Sequence, residues 1–246
     1  MTKLSVNLNK IALLRNSRGR DFPNVVSFAE KFIALGVHGI TVHPRQDERH
    51  ITIKDTIALG KLLASNNRVE YNIEGYPSEE FLKLVEETQP DQCTLVPDSP
   101  EQLTSDHGWD LEQHSVFVKN VCSRLLRAGV RTSLFLDPDI KQVKRVKATG
   151  AERIELYTET YASAFSHQKD KNFTQLLEHY NQAAITAQNE GLGVNAGHDL
   201  DLHNLPDFLT INNILEVSIG HVLLVECIEQ GMANTIKSYL EICDKA

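Results

Sequence analysis

Short runs rich in β-branched and apolar residues recur along the chain. Each is followed by a longer stretch in which apolar positions return with a helical period. The pattern predicts strands over Leu4–Leu8, Gly39–His43, Val69–Glu74, Gln92–Pro97, Arg131–Asp137, Arg153–Tyr157, Gly191–Asn195 and Glu216–Ile219. Several are apolar at successive residues, as in Leu134-Phe135-Leu136, which suits parallel strands covered on both faces. Between them, Val25, Phe28, Ala29, Phe32 and Ile33 fall at i, i+3, i+4, i+7 and i+8. The same spacing joins Val118, Val121, Cys122, Leu125 and Leu126, and runs from Phe173 through Leu176, Leu177 and Tyr180 to Ala187. Gly36, Gly129, Gly150 and Gly191 each close a helical stretch, where a left-handed residue is wanted. Asp137-Pro138 reads as a cap followed by a first-turn proline, opening the helix after the fifth strand.

Eight alternating βα units without a linker predict one parallel sheet. Left open it would be doubly wound, but no Gly-x-Gly-x-x-Gly follows any strand, which weighs against an open dinucleotide-binding fold. The expectation is an α/β protein, a (β/α)8 TIM barrel forming a single domain over residues 1–246, the length usual for that architecture.

Composition narrows the setting. The 246 residues are 41% hydrophobic and 24% charged, an ordinary globular balance. No apolar stretch approaches the roughly 20 residues that span a bilayer, and Asn7 and Asn9 come too early for a signal peptide's apolar region. A cytoplasmic protein without membrane partners is expected. A net charge of −8 argues against nucleic acid as a partner, whereas phosphorylated small molecules remain open to a site that concentrates Arg, His and backbone N–H groups. Cys93, Cys122, Cys227 and Cys243 are scattered without a CxxC spacing and read as structural thiols.

The polar residues of the strands gather at their C-terminal ends. Asn7 and Asn9 follow the first strand, His43 the second, Glu74 the third and Asp137 the fifth; Glu155 and Tyr157 come late in the sixth, and His198 and His221 follow the last two. In a barrel these positions converge on one mouth. Any one alone reads as a cap or loop residue, and the helix cap fully accounts for Asp137. The joint pattern points to a site. Gly197-His198-Asp199 and Ile219-Gly220-His221 follow strands seven and eight, where barrel phosphate sites form from backbone N–H groups and a helix N-terminus. The basic segment Leu14-Arg15-Asn16-Ser17-Arg18-Gly19-Arg20 reads as a loop after the first strand, either a solvated turn or a mobile arm offering guanidinium groups to phosphate. The stretch from His43 to His50 is too charge-dense for a core.

At these residues the chain resembles the pyridoxine 5'-phosphate synthase family. The matching segments are Val6-Asn7-Leu8-Asn9-Lys10-Ile11-Ala12, Leu14 to Gly19, Gly39-Ile40-Thr41-Val42-His43-Pro44-Arg45 and Arg49-His50. They continue with Asn72-Ile73-Glu74-Gly75-Tyr76-Pro77, Leu95-Val96-Pro97-Asp98, Ser133 to Asp137, Val194-Asn195-Ala196-Gly197-His198 and Ser218-Ile219-Gly220-His221, in family order from end to end. The resemblance implies a cofactor-free condensation of 3-amino-2-oxopropyl phosphate (aminoacetone phosphate) with 1-deoxy-D-xylulose 5-phosphate. The products are pyridoxine 5'-phosphate, inorganic phosphate and water. It implies His43 and Glu74 as general bases, His198 as proton donor and Glu155 as stabiliser of charged intermediates. It implies that Asn7, Arg18, the backbone at Asp199, and Gly220-His221 hold the aminoacetone phosphate, while Asn9, Lys10, Arg45, His50 and Thr104 contact the deoxyxylulose phosphate. It also implies a homo-octamer. Many members read Asp-His where this chain has Asn9-Lys10, Gly-His-Gly where it has Gly197-His198-Asp199, and a small residue near Val225. A side chain at Asp199 requires a local backbone that tolerates a Cβ.

Two other readings compete. A metal-dependent barrel hydrolase or isomerase would use His43, Glu74, His198 and His221 as zinc or manganese ligands, but no His-x-His or His-Glu-x-x-His spacing supports it. A catalytically dead barrel would serve binding or assembly; the set of His43, Glu74 and His198 argues against that.

Overall fold

The structure is a computed structural model that describes residues 1–66, 68–98, 102, 105–165 and 171–246. The chain opens with β1 (Lys3–Asn7), α1 (Asn9–Asn16), α2 (Val25–Ala34), β2 (Gly39–Val42) and α3 (Ile53–Ala64). Next come β3 (Glu70–Gly75), α4 (Glu79–Thr88), β4 (Gln92–Leu95), α5 (Leu111–Arg127), β5 (Arg131–Leu136) and α6 (Ile140–Val146). The last part holds β6 (Arg153–Tyr157), α7 (Glu159–Ala164), α8 (Lys171–Asn189), β7 (Gly193–Gly197), the single-turn α9 (Leu205–Phe208), β8 (Ile214–Ile219), α10 (His221–Gln230) and α11 (Met232–Lys245). Every neighbouring pair of strands is parallel, and β1 pairs with β8 to close the circle, with Lys3 opposite Glu216 and Ser5 opposite Ser218. The fold is a (β/α)8 barrel, as the alternation of runs predicts.

Both faces of the strands are buried, but only one is apolar. Leu4 and Val6, Ile40 and Val42, Tyr71 and Ile73, Leu134 and Leu136, Ile154 and Leu156, and Val217 and Ile219 belong to the main core with the helices outside. Each fully buried aliphatic side chain there stabilises the fold by about 1.5–3 kcal/mol. The alternate residues turn inward and are polar. Ser5 and Thr41 bring their hydroxyls to 2.7 Å, and Asn72 Nδ2 lies 3.4 Å from Thr41 Oγ1. Thr94 Oγ1 lies 3.1 Å from Asn72 Oδ1 and 3.3 Å from Glu155 Oε2. Nearer the N-terminal end, Asn195 Nδ2 of β7 crosses to Gln92 Oε1 of β4 at 3.4 Å, Arg153 Nη1 donates to Asn195 Oδ1 at 3.1 Å, and Arg131 pairs with Glu70. The inner face becomes apolar only at the top, where Val96, Phe135 and Tyr157 form a small cluster of their own.

Three local expectations need correction. Asp139, not Asp137, caps α6, its side chain accepting from Lys141 N, while Asp137 Oδ2 instead accepts from Gly108 N at 3.0 Å. The segment after β1 is helical through Asn16, because Ile11, Ala12 and Arg15 form its buried stripe. Arg15 is accordingly no phosphate arm: its guanidinium makes a two-pronged pair with Asp55 at 2.5 and 2.8 Å, and Asp55 in turn closes a capping box with Thr52. Finally, β7 begins at Gly193 rather than Gly191, since Gly191 (φ +76°) is the left-handed residue that ends α8.

Candidate active site

The C-terminal ends of the strands surround a cavity of about 560 Å³. Its lining includes Asn7, Asn9, Lys10, His43, Arg45, His50, Glu74, Glu155, His198, Asp199, Gly220 and His221. Twelve of the fourteen residues expected at a site are thus drawn into one space from across the whole chain. Arg18 is not: it is exposed in the turn after α1 and does not line the cavity. Thr104 lies outside the described residues.

Position along each strand explains the convergence. Asn7 ends β1, and its Oδ1 accepts from Asn9 N at 2.9 Å while its Nδ2 lies 3.4 Å from Glu74 Oε2. Asn9 Oδ1 accepts from His43 N at 2.9 Å, so the first two strand ends are stitched together. His50 is buried, and its Nδ1 accepts from Ile51 N at 2.9 Å, which puts the ring proton on Nε2. Arg45 is buried against Asp98 at 2.5 Å and donates to Gln102 O at 3.0 Å, tying the loop after β2 to the loop after β4.

Burial and neighbouring charge set the protonation states. Burial, with Arg45, His50 and Arg49 adding to it, holds His43 well below the usual imidazole range, so its ring is neutral. Burial and the nearby Arg45 likewise push His50 down to about 4. Glu74 is driven well above the usual carboxylate range by burial and then by Glu155, Asp98 and Glu216. Glu155 is raised to about 7, mainly by burial, with Thr94 and His198 drawing it down. The mouth therefore combines a neutral imidazole with one carboxyl held in its protonated form and a second poised near neutrality, a set suited to proton transfer.

The rim formed by the loops after β7 and β8 is built differently. Gly220 caps α10 without any side-chain cap, and Gly220 and His221 line the cavity, so the start of this helix lies at its rim. Gly220 packs so close to Asn7 that a Cβ would meet the Asn7 Cβ at 3.1 Å. On the loop after β7, His198 (φ +92°) and Asp199 (φ +58°) both adopt a left-handed backbone, so the Cβ expected to be awkward at Asp199 is carried at two consecutive residues.

The cavity is also lined by Leu13, Arg49, Val96, Ser105, Phe135 and Ser218, none of them among the expected site residues. Phe135 and Ser218 carry a signal in retrospect: each lies on the inward parity of its strand, two residues beyond a buried polar one. Among the described residues, no group of three or more His, Cys, Asp and Glu side chains is placed to hold a metal ion, so His43, Glu74, His198 and His221 do not form a ligand cluster. No helix among the described residues is long and apolar enough to cross a membrane.

Comparison with known proteins agrees with this geometry. The family model described as pyridoxal phosphate biosynthesis protein PdxJ matches residues 4–245. Pyridoxine 5'-phosphate synthases of Agrobacterium fabrum and Chelativorans sp. are 48% and 47% identical, the matches covering 98% of this chain and 97% and 98% of theirs. That of Bacteroides thetaiotaomicron is 49% identical over 97% of this chain and 98% of its own. Among solved structures, phosphoribosyl anthranilate isomerase from Thermus thermophilus superposes with a TM-score of 0.60 at 13% identity, covering 99% of both chains. A 4-hydroxy-2-oxoglutarate aldolase scores 0.62 at 12% identity, covering 98% of this chain and 93% of that one. These two likenesses concern the barrel alone.

Proposed function

The chain belongs to the PdxJ family of pyridoxal phosphate biosynthesis proteins, and on that footing we propose how its barrel mouth closes a pyridine ring. The enzyme condenses 3-amino-2-oxopropyl phosphate with 1-deoxy-D-xylulose 5-phosphate to give pyridoxine 5'-phosphate, phosphate and water. The observation that carries the reading of the site is that His43, Glu74, Glu155 and His198 line one cavity together with the uncapped start of α10.

In this reading the aminoacetone phosphate lies against Asn7, the backbone at Asp199 and the Gly220-His221 end of α10, whose N–H groups take the phosphate without adding a competing base. The deoxyxylulose phosphate lies toward Asn9, Lys10, Arg45 and His50, with Thr104 as the remaining expected contact. Arg45 already pairs with Asp98, so a phosphate reaching that guanidinium shares it with a carboxylate. His43, held neutral, takes the first proton. Glu74 ionises once a substrate amine or iminium stands beside it, and then works as the second base. Glu155 offsets the positive charge of the imine intermediates, and His198 protonates the departing oxygen. Arg18 joins only if the turn that carries it moves toward the mouth. Arg18→Ala then raises the KM for aminoacetone phosphate; an unchanged KM removes that contact.

Two diffusible phosphorylated substrates favour a cytoplasmic location. The expected octamer is a matter for light scattering on the purified chain. The function itself is tested by incubating the protein with both substrates and no cofactor, with product read by mass spectrometry. His43→Ala and Glu74→Gln should each lower turnover with folding intact, and near-wild-type rates in both would refute their roles.

A further inference from the structure

We propose that the Asp199 carboxylate is the working partner of His198, orienting its imidazole so that the two act as one acid. This rests on the reading above that His198 is the proton donor.

His198 Nδ1 and Asp199 Oδ2 are 3.3 Å apart. An ionised carboxylate offers only acceptors, so Nδ1 carries the proton of this contact, and a proton passed to a ligand leaves from Nε2. The backbone beneath is held by other groups. Thr158 N donates to Gly197 O at 3.0 Å, and Thr158 Oγ1 lies 2.7 Å from Gly197 O and 2.5 Å from His198 O. Asn204 Nδ2 donates to Asp199 O at 3.1 Å. Tyr157 meets the imidazole edge-on, the ring centroids 5.0 Å apart. The strained turn is thus anchored through carbonyls, while the Asp199 side chain reaches the imidazole itself.

A side chain at φ +58° costs stability that glycine would not. Keeping an aspartate there, with its carboxylate on the neighbouring ring, fits a chemical use of the group. The surrounding charges fit too. Lys10 of α1 and His221 of α10 face Asp199 across the cavity, and together with His198, the largest influence, they hold its carboxyl below the usual range. Glu155 of β6 shares the cavity with the pair. In the transfer, the Nε2–H bond breaks and its proton goes to the departing oxygen. The bonding pair stays on Nε2, and the ring regains a proton from water. Asp199 remains ionised throughout.

The test is steady-state kinetics of the purified full chain with both substrates, for Asp199→Asn, Asp199→Gly and His198→Ala, each with a thermal melt. Asp199→Asn and Asp199→Gly should lower kcat about tenfold or more, with little change in either KM because the backbone N–H groups remain. Asp199→Gly should at the same time raise Tm, since glycine accepts the left-handed backbone. A purely structural role predicts the reverse for kcat in Asp199→Gly, which would then stay level or rise with Tm. Wild-type kcat in both Asp199 variants, with His198→Ala inactive, overturns the pairing alone. Wild-type kcat in His198→Ala overturns the acid assignment on which it rests. If Asp199→Asn folds poorly, Asp199→Gly, which relaxes the turn, separates the same outcomes.

Discussion

Glu155→Gln should make the protein more stable and less active, and the size of the first effect should depend on pH. The carboxyl is buried inside the barrel on β6, close to Thr94 Oγ1, and is raised from the ordinary 4.5 to about 7. A carboxyl raised in the folded state favours folding below its unfolded value, and that contribution is lost as pH climbs through the folded value. Linkage from about 4.5 to about 7 amounts to about 3 kcal/mol between pH 4 and pH 8.5. Glutamine removes this term while keeping size and hydrogen bonding. The variant should therefore match wild type near pH 4 and exceed it by up to about 3 kcal/mol near pH 8.5. For a chain of this length that is a rise of about 6–12 °C in Tm. Paired melts across the pH range read the difference; losing the Glu155 charge also relieves Glu74 and Glu216, which it helps hold up, and that change has the same sign. A stability gain that is equal at both ends, or a loss at high pH, would refute the account of Glu155 as a strained, buried acid. Turnover should fall in the same variant because the negative charge available to cationic intermediates is gone.

Two further substitutions probe the supports of the site. Arg15→Met breaks the two-pronged pair with Asp55, whose side chains are only 10% and 12% exposed, and strands a half-buried carboxylate; urea unfolding should show a loss of about 3 kcal/mol, and a loss below about 1 kcal/mol would make the pair ornamental. Gly197→Ala would set a Cβ 2.6 Å from Glu155 Oε1 and 3.0 Å from the Ser218 carbonyl; it should cost about 1–3 kcal/mol and depress kcat by displacing the carboxylate, and an unaltered kcat would mean that the position of Glu155 is immaterial.

The barrel was legible because eight apolar runs alternate with helical periods, and a closed parallel sheet is the economical way to bury both. The polarity of its interior was not. Ser5, Thr41, Asn72, Thr94 and Ser133 sit among Leu, Ile, Val and Phe, and small hydroxyl and amide side chains barely interrupt a short apolar run. Leu134-Phe135-Leu136 looks uniformly hydrophobic, yet Phe135 faces the mouth while its neighbours face the helices. The helix after β1 was hidden because Asn9-Lys10 and Arg15-Asn16 bracket only four apolar residues, and the Asp55 that buries Arg15 is forty positions away. Convergence of the strand-end residues followed from topology. The exclusion of Arg18 from the cavity depends on how a turn folds back, which no periodicity encodes.

The inward-outward alternation of the strands assigns two separate jobs to adjacent residues. On β1, Leu4 and Val6 serve cohesion with the outer helices, while Ser5 and Asn7 serve the hydrophilic bore and what is bound above it. A drift in catalytic preference can proceed through the second register without disturbing the first, and thermal hardening can proceed through the first without touching the second. A one-residue slip in any strand would exchange the two registers and lose both at once.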